Sequence, residues 1–204
     1  MNDRPNTSLD EAYFERIYAT ETDPWNFATS AYERDKYAAT LAALPRQRYE
    51  RGFEIGCSVG VLTEMLAQRV DQLLAVDLNE RALAAARARN ADAAHLRFER
   101  LNFPKDQAAG TFDLLVVSEV AYYWAGEDFT RALDWLVEHL QLGGHIILVH
   151  YTPTETDYPL TGDEVHDRMA ARFGVPGSPL MSITSYRAPC YRLDVYERVD
   201  GVRP

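Results

Sequence analysis

The chain has 204 residues, of which 47% are hydrophobic and 25% charged, a composition that predicts one globular domain with a full hydrophobic core. Its formal net charge of −10 argues against a nucleic-acid partner, because proteins that bind a phosphate backbone usually present a basic face. No stretch approaches the ~20 apolar residues that a membrane span needs, and the N-terminus lacks the basic and apolar segments of a secretory signal, so we expect no membrane association.

The first fifty residues are predicted to be helical. Residues 8–11 (SLDE) and 30–33 (SAYE) both fit the capping box, in which a hydroxyl and a carboxylate bind the first amides of a helix. The second helix is expected to run to about Leu44 and to end at Pro45. Residues 23–27 (DPWNF), between the two helices, are typical of a turn.

From Gly52 onward, short apolar runs alternate with stretches of helical periodicity. Strands are expected at residues 53–55, 73–76, 96–98, 112–117 and 146–149. Helices are expected at about 61–66, 80–89 and 129–140, the last ended by Gly143-Gly144. Residues 112–117 (FDLLVV) are apolar at nearly every position, as a strand covered on both faces requires. This alternation predicts a parallel sheet with helices on both faces.

The C-terminal part departs from this alternation. Residues 161–164 (TGDE) are predicted to cap one more helix. Two strands, residues 180–186 and 191–198, follow with so short a connection that they must pair as an antiparallel hairpin. The predicted fold is therefore α/β: a doubly wound, Rossmann-like sheet of class I methyltransferase outline, mostly parallel, with a C-terminal antiparallel hairpin and an N-terminal helical cover. A nicotinamide dehydrogenase would have an all-parallel sheet.

We expect a single domain, with three parts. Residues 1–50 would form the helical cover, residues 51–150 the cofactor-binding core, and residues 151–204 the last helix and the hairpin. No repeat, low-complexity tract or flexible linker divides the chain.

The turn after the first strand carries the strongest local signal. Gly56, Ser58 and Gly60 are small residues that let backbone groups approach a ligand. Asp77, 21 residues beyond Gly56, ends the second strand, where a carboxylate can accept both hydroxyl protons of a ribose. The combination predicts a nucleoside-type cofactor, the alternative being a structural turn and an ordinary aspartate. Val61 stands where dinucleotide binders need a third small residue, which disfavours a dinucleotide.

Several segments, in this order, resemble the motifs of class I S-adenosylmethionine methyltransferases: FEIGCSVG, LLAVDLN, LNFP, FDLLVVSEVAYYW and LGGHIILVH. The upstream DPWNF and SAYERDKYAATLAALP narrow the resemblance to the nodulation protein S group, N-methyltransferases that act on the free amine of a deacetylated chito-oligosaccharide. The resemblance covers residues 13–150 and fades in the C-terminal quarter. It implies S-adenosylmethionine as methyl donor, S-adenosylhomocysteine as product, and no metal.

The resemblance also implies a set of cofactor-binding residues. Gly56, Cys57 and Ser58 would contact the methionine part through their backbone. Asp77 would hold the ribose, and Leu78 would lie against the adenine.

Four further positions complete this set. Asn102, where relatives often have aspartate, would meet the adenine amino group, and Phe103 would lie nearby. Trp25, from the DPW motif, and Lys36, from the following helix, are expected near the cofactor, Lys36 as partner of the methionine carboxylate. The alternatives are a core position for Trp25 and a solvated helix face for Lys36.

Candidate catalytic residues follow the fourth and fifth strands, whose ends should open on the same face of the sheet. Glu119 would orient an amine and take its proton, or else bind the methionine ammonium. Tyr122 and Tyr123 are either acid–base groups or pocket wall. His150 is either a general base or a rim histidine, and Tyr151 follows it.

The expected function is methyl transfer to a small molecule, with the amine of an amino sugar as the expected acceptor. The alternatives are an O-methyltransferase of a hydroxylated metabolite that uses His150 as base, a non-catalytic cofactor-binding regulator, and a nicotinamide oxidoreductase. The five histidines lack metal-ligand spacing. The two cysteines form no motif, which favours a reducing cytoplasm. Oligomeric state does not follow from the sequence.

Overall fold

The computed structural model describes residues 4–153 and 155–200. Within them the chain forms six α-helices, seven β-strands and two short 3-10 turns. The helices are α1 (Glu11–Thr20), α2 (Ala31–Ala43), α3 (Val61–Leu66), α4 (Glu80–Arg89), α5 (Gly126–His139) and α6 (Gly162–Phe173). The strands are β1 (Tyr49–Ile55), β2 (Val70–Asp77), β3 (Leu96–Arg100), β4 (Phe112–Ser118), β5 (Leu140–Tyr151), β6 (Leu180–Arg187) and β7 (Tyr191–Arg198). The 3-10 turns are Ala67–Arg69 and Ala121–Tyr123.

The strands belong to one seven-stranded mixed sheet, and the chain divides into two compact units. The first unit, Asp10–Ala108, contributes the strand order β3-β2-β1. Both pairs in this unit are parallel. Gly52 is an interior position of β1, where a Cβ atom would lie only 2.8 Å from Leu73 Cδ1. β1 begins at Tyr49, earlier than predicted, so that Gly52 lies inside the strand.

The second unit, residues 109–200 with residues 4–9, contributes the order β4-β5-β7-β6. β4 and β5 are parallel, whereas β7 is antiparallel to both β5 and β6. The predicted hairpin is therefore confirmed, and so is the α/β class with a mostly parallel sheet and an antiparallel C-terminal end.

Helix starts follow the predicted capping chemistry in part. α6 carries the complete capping box between Thr161 and Glu164. At α2 the Ser30 hydroxyl accepts from the Glu33 amide at 3.3 Å, but the Glu33 carboxylate binds Lys36 instead of returning to the cap. α2 ends at Ala43 with Leu44 as its C-cap, as predicted.

The prediction that residues 8–11 form a capping box was wrong. Asp10 caps α1, and its carboxylate accepts from the Tyr13 amide at 3.0 Å. The Ser8 hydroxyl instead donates to Asp128 at 2.6 Å and accepts from the Ala125 amide at 2.9 Å. Ser8 thus serves the start of α5, a tertiary role that local sequence does not reveal.

The prediction that Gly143-Gly144 ends a helix was also wrong, because α5 ends at His139 and both glycines lie inside β5. Gly143 has a φ of 72°, and a Cβ atom on Gly144 would lie 3.1 Å from Asp113 Cα. The register between β4 and β5 shifts beside them. The glycines therefore mark a strand irregularity in which two backbones approach closely.

Each unit has its own buried apolar residues. Every residue of β4 in the second unit is buried, as predicted for a central strand. In the first unit, Tyr18, Val59 and Ala82 form a cluster against which partly buried aromatic side chains of the N-terminal segment pack. Among the described residues, no helix is long and apolar enough to cross a membrane.

Candidate functional site

The turn after β1, residues 56–60, is called the glycine turn here. Gly56 and Gly60 both have φ of 76°, and Ser58 between them has φ of 47°. Glycine adopts this left-handed region freely, whereas a serine there costs about 1–2 kcal/mol. A Cβ atom on Gly60 would lie 2.9 Å from Ala86, so this glycine also lets α4 approach. The turn thus needs small residues for two separate reasons.

Two hydrogen bonds hold Ser58 in its strained conformation. Its hydroxyl pairs with the Tyr18 hydroxyl at 2.6 Å, and its amide donates to Asp77 Oδ2 at 2.9 Å. Burial raises the pKa of Tyr18, and the neighbouring Asp77 charge raises it further, so the phenol stays neutral. Non-glycine residues held in this region are concentrated at functional sites, where surrounding contacts maintain them.

Asp77 links the glycine turn to the end of β2. Its second oxygen, Oδ1, accepts from the Asn79 amide at 2.8 Å. Burial raises the pKa of Asp77, while hydrogen bonds from the backbone of Asn79, Ser58 and Leu78 act in the opposite direction. A carboxylate oxygen has more than one acceptor direction, so Asp77 can accept further donors beyond these amides.

The first two amides of the glycine turn donate hydrogen bonds to another group of the protein. Those of Gly56 and Cys57 both donate to the Val76 carbonyl, at 2.8 and 3.0 Å. Burial raises the pKa of the Cys57 thiol, with Asp77 and Glu54 adding to the effect, so Cys57 is a buried neutral group. Carbonyls of the turn also accept within the protein, Cys57 from the Gly60 amide at 2.9 Å and Val59 from Arg89 at 3.0 Å, but a carbonyl oxygen has a second acceptor direction for a ligand donor.

The segment after β3 lies beside Asp77. The Leu101 amide donates to the Asp77 carbonyl at 3.0 Å, and Asn102 begins a turn in which its amide donates to Asp106 at 3.1 Å. Phe103 is buried against Phe53, with 6.1 Å between ring centroids.

Leu78, which follows Asp77, is partly buried, and its carbonyl accepts from Arg100 at 3.1 Å. The predicted ribose and adenine positions therefore lie in one part of the first unit.

Three side chains of α1 attach this helix to the carboxyl ends of β1, β2 and β3. Tyr18 pairs with Ser58 after β1, and Glu15 accepts from Asn79 after β2 at 3.2 Å. Glu11 pairs with Arg100 of β3. Positions 11, 15 and 18 share one face of a helix, so the whole face is used. Sequence reasoning missed these three residues, although their helical spacing was visible.

The two predicted N-terminal contributors have different surroundings. Trp25 is partly buried, edge-on to Tyr18 at 5.6 Å and stacked on Phe27 at 5.5 Å. Lys36 is only 2% exposed, so the alternative of a solvated helix face was wrong. Its ammonium lies 2.9 Å from a Glu33 carboxylate oxygen and 5.1 Å from the centre of the Tyr32 ring.

Glu54 is a buried acid that sequence reasoning missed. It is 2% exposed and accepts from the Thr63 hydroxyl at 2.6 Å. Burial raises its pKa to about 7, against the opposing effect of the Thr63 hydrogen bond. The signal was an acidic residue between Phe53 and Ile55 in an apolar strand, a placement that is rare without a specific reason.

In the second unit, Glu119 follows β4 and adopts a left-handed φ of 55°. Its amide donates to the Val149 carbonyl at 2.9 Å. One carboxylate oxygen, Oε2, accepts from the Tyr122 hydroxyl at 2.7 Å and from the Tyr151 amide at 2.9 Å. The ends of β4 and β5 are thus joined through this one carboxylate.

The residues Ala121–Tyr123 are called the Tyr122 turn here. Tyr122 stacks on Tyr158 at 5.0 Å, and Tyr123 meets both rings edge-on. Burial raises the pKa of Tyr122 and Tyr123 well above the usual value, so both phenols are donors at neutral pH. Tyr158 was missed, because it lies in an irregular segment without a periodic pattern.

His150 is fully buried, with its Nε2 atom 3.2 Å from the Ala121 amide and its Nδ1 atom 3.2 Å from His166 Nε2. A further hydrogen bond joins His166 to Asp194, and sequence reasoning missed both residues. Of the predicted catalytic residues, the structure brings Glu119, Tyr122 and His150 together within the second unit. Among the described residues, no group of three or more His, Cys, Asp or Glu side chains could hold a metal ion.

Comparison with known proteins identifies the family. Residues 11–152 match the family model described as Nodulation protein S (NodS). Nodulation protein S of Bradyrhizobium diazoefficiens is 35% identical over 102 residues, which is 50% of this chain and 49% of that protein. The chain spans about half the length of the curated nodulation proteins that it matches first.

Two further similarities extend over more of the chain. A trans-aconitate 2-methyltransferase from Deinococcus radiodurans is 31% identical over 169 residues, 78% of this chain and 62% of that protein. The solved structure of N-methyltransferase NodS from Bradyrhizobium japonicum WM9, in complex with S-adenosyl-L-homocysteine, superposes with a TM-score of 0.80. It is 24% identical and covers 95% of this chain and 99% of that one, which shows a common fold. On the match to the family model, this chain belongs to the nodulation protein S family.

Proposed function

We propose that this protein transfers a methyl group from S-adenosylmethionine to an amine of a small molecule. The observation that carries the proposal is Glu119: a carboxylate held in a left-handed conformation, with one oxygen fixed by Tyr122 and by the Tyr151 amide. A carboxylate has about four acceptor directions, so Glu119 can also accept from an amine N–H. In this role Glu119 orients the amine nitrogen and takes up a proton from it.

The polar groups of the first unit fit the proposed cofactor. Asp77 offers carboxylate oxygens to the ribose hydroxyls, and the carbonyls of the glycine turn suit the methionine ammonium. The side chain of Asn102 can accept from the adenine amino group, with Leu78 and Phe103 as apolar neighbours. When bound, the sulfonium of S-adenosylmethionine supplies an activated methyl group, which leaves the protein the tasks of alignment and exclusion of water.

Trp25 and Lys36 are assigned less direct roles. Trp25 packs on Tyr18, which holds Ser58, so we propose that it stiffens the N-terminal cover. Lys36 already pairs with Glu33, and a methionine carboxylate would have to share or replace that partner. A compact ammonium with three donors can serve two carboxylates at once.

For the acceptor we propose an amino sugar or a similar compact polar amine. Tyr122 and Tyr123 are buried, whereas Tyr158, which stacks on Tyr122, is only partly buried and can pack its ring against the apolar face of a sugar. The negative net charge of the protein attracts a protonated amine at long range, an effect that salt weakens. The NodS named above is described as an N-methyltransferase, which favours nitrogen as the methyl acceptor.

A second candidate is O-methylation of a small acid, favoured by the similarity to trans-aconitate 2-methyltransferase. An acidic acceptor would be repelled by Glu119. A hydroxyl acceptor would need a base, and the Nε2 atom of His150 already accepts from the Ala121 amide. The charge of Glu119 and the hydrogen bond at His150 both favour nitrogen over oxygen as the methyl acceptor.

The test is incubation with methyl-labelled S-adenosylmethionine and a matched acceptor panel: glucosamine, N-acetylglucosamine, a chito-oligosaccharide with one free amine, and trans-aconitate. We expect label on the nitrogen of the free amines and none on the acetylated sugar, read by product mass spectrometry. Label only on oxygen would exclude the amine proposal. Cofactor binding without turnover on any acceptor would favour the non-catalytic regulator.

A further inference from the structure

Three buried ionisable side chains of the second unit form a continuous hydrogen-bonded chain. His150 on β5 and His166 on α6 are fully buried, and Asp194 on β7 is 1% exposed. His150 Nδ1 lies 3.2 Å from His166 Nε2, and His166 Nδ1 lies 2.6 Å from Asp194 Oδ2. Such a chain links three elements in the core, where an unsatisfied polar group would be costly.

The two ends of the chain fix the position of every proton in it. The Ala121 amide can only donate, so His150 Nε2 must accept. His150 therefore carries its proton on Nδ1 and donates it to His166 Nε2. His166 then carries its own proton on Nδ1 and donates to Asp194. Both imidazoles are neutral in this arrangement, and both are the Nδ1–H tautomer.

The carboxylate end is held charged by its surroundings. Asp194 accepts from the Ser185 hydroxyl at 2.6 Å, and Arg192 Nε lies 3.1 Å from its other oxygen. Burial alone would raise the pKa of Asp194, but the hydrogen bonds from His166 and Ser185 and the charge of Arg192 lower it overall. An ionised acceptor fixes the adjacent tautomer, as it does where a carboxylate orients a ligand histidine.

The other end of the chain is the Tyr122 turn. The Ala121 amide starts this turn, and the His150 ring meets the Tyr122 ring edge-on at 5.4 Å. The Tyr122 hydroxyl in turn donates to Glu119 Oε2 at 2.7 Å. A change in the His150 tautomer would place two donors opposite each other at Ala121 and release the turn.

We propose that Asp194, acting through His166 and His150, positions the Tyr122 turn and thereby the hydroxyl that holds Glu119. This makes the three residues positioning residues, and His150 is not the general base. The proposal rests on the proposed role of Glu119, but the tautomers that it requires can be read without any turnover.

The first test is nitrogen NMR of the protein labelled with ¹⁵N-histidine, in which five histidines give a small number of signals. Signals of His150 and His166 are assigned from their loss in the variants His150→Gln and His166→Gln. We expect both to be neutral Nδ1–H tautomers at pH 7.5. Finding His150 as the Nε2–H tautomer or as an imidazolium would overturn the proposal, whatever the enzyme activity.

The second test is a matched pair of substitutions at one position. In His150→Gln the side-chain oxygen can reach the place of Nε2 and accept from Ala121, whereas the shorter side chain of His150→Asn can only replace Nδ1. We expect kcat within about threefold of wild type for the glutamine variant and 10- to 100-fold lower for the asparagine variant, since displacement by about 1 Å can cost this much. KM for the cofactor should stay within twofold in both, and His139→Asn serves as a control in the same unit.

A general-base role for His150 predicts a different outcome. Both variants would then lose kcat equally, and the rising limb of the pH profile would disappear in both. Calorimetric binding of S-adenosylhomocysteine shows whether each variant is folded. Equal loss in two folded variants would overturn the positioning role.

Discussion

The glycine turn of the first unit contains the left-handed Ser58, and the Tyr122 turn of the second unit follows the left-handed Glu119, but the two turns are held in different ways. Ser58 is held by Tyr18 and by Asp77, which ends the next strand. The Tyr122 turn is held through His150 and His166, which come from later parts of the chain. Apart from the contact with Tyr18 of α1, the glycine turn is held within the β1–α3–β2 unit, whereas the Tyr122 turn depends on side chains of β5, α6 and β7.

Among the tests of this comparison, the largest expected effect is a change in kcat. Glu119→Gln keeps the size of the side chain and an acceptor for Tyr122, but it cannot take up a proton. We expect kcat to fall by about 10²- to 10⁴-fold, the usual contribution of a general base. Glu127→Gln, an exposed residue in the first turn of α5, is the matched control. Initial rates at saturating cofactor are measured, and a kcat within threefold of wild type would exclude Glu119 as the base.

Glu54 allows a test of the first unit through stability. Its pKa is raised to about 7 in the folded protein, mainly by burial, from an unperturbed value of 4.5. The folded state therefore binds one more proton than the unfolded state between these pH values, and the free energy of unfolding falls as pH rises from 4.5 to 7. Above pH 7 the loss is complete.

Glu54→Gln cannot ionise and can still accept from Thr63. We expect it to be more stable than wild type by about 3 kcal/mol at pH 8, and equally stable at pH 4. Denaturant unfolding at the two pH values measures this, with Glu50→Gln in the exposed part of β1 as control. A variant that is less stable at pH 8 would mean that the charge of Glu54 is needed.

The N-terminal segment, residues 8–44, allows a test in which the expected change in stability is similar to that for Glu54→Gln. We propose that it covers the cofactor, because Tyr18, Glu15 and Glu11 attach α1 to the ends of three strands. S-adenosylhomocysteine at ~100 times Kd should raise the free energy of unfolding by about 2.7 kcal/mol. It should also slow proteolysis near the exposed Asn26. Equal cleavage rates with and without the ligand would leave the segment as scaffold.

The smallest expected effect is at Tyr18. Tyr18→Phe removes one hydrogen bond to Ser58 and leaves the ring packing on Trp25 intact. The free energy of unfolding should fall by about 1 kcal/mol. Affinity for S-adenosylhomocysteine should weaken with it, whereas Tyr13→Phe on the same helix should change neither quantity. Unchanged affinity in Tyr18→Phe would mean that the hydrogen bond from α1 to Ser58 does not contribute to cofactor binding.

Much of the fold could be predicted because its signals are local. The helix over residues 80–89 has a good N-cap and strong helix formers, and the apolar run of β4 leaves no other place than the sheet interior. The Gly143-Gly144 pair led to a wrong prediction for the end of α5, because a glycine pair at a strand irregularity and one at a helix end look alike in sequence. Only pairing with β4 distinguishes them.

The candidate site shows the same limit. The placement of Asp77 beside the glycine turn could be predicted, because the carboxyl ends of neighbouring parallel strands lie at the same edge of a sheet. The Asp194–His166–His150 chain could not, since its members are 16 and 28 residues apart and lie on three different elements. Glu54 was visible as an acid in an apolar strand, but only burial shows why its ionisation is unfavourable.

The most direct test is the calorimetric affinity for S-adenosylhomocysteine of two variants, Asp77→Ala and Glu119→Gln, beside Asp92→Ala as a control on an exposed aspartate. Loss of the hydrogen bonds to a charged acceptor at Asp77 should weaken binding by about 1.5–3 kcal/mol, roughly 10- to 150-fold. Glu119→Gln and the control should bind within twofold of wild type. The opposite result, with Asp77→Ala binding normally and Glu119→Gln failing to bind, would assign the cofactor contact to Glu119 and contradict the account.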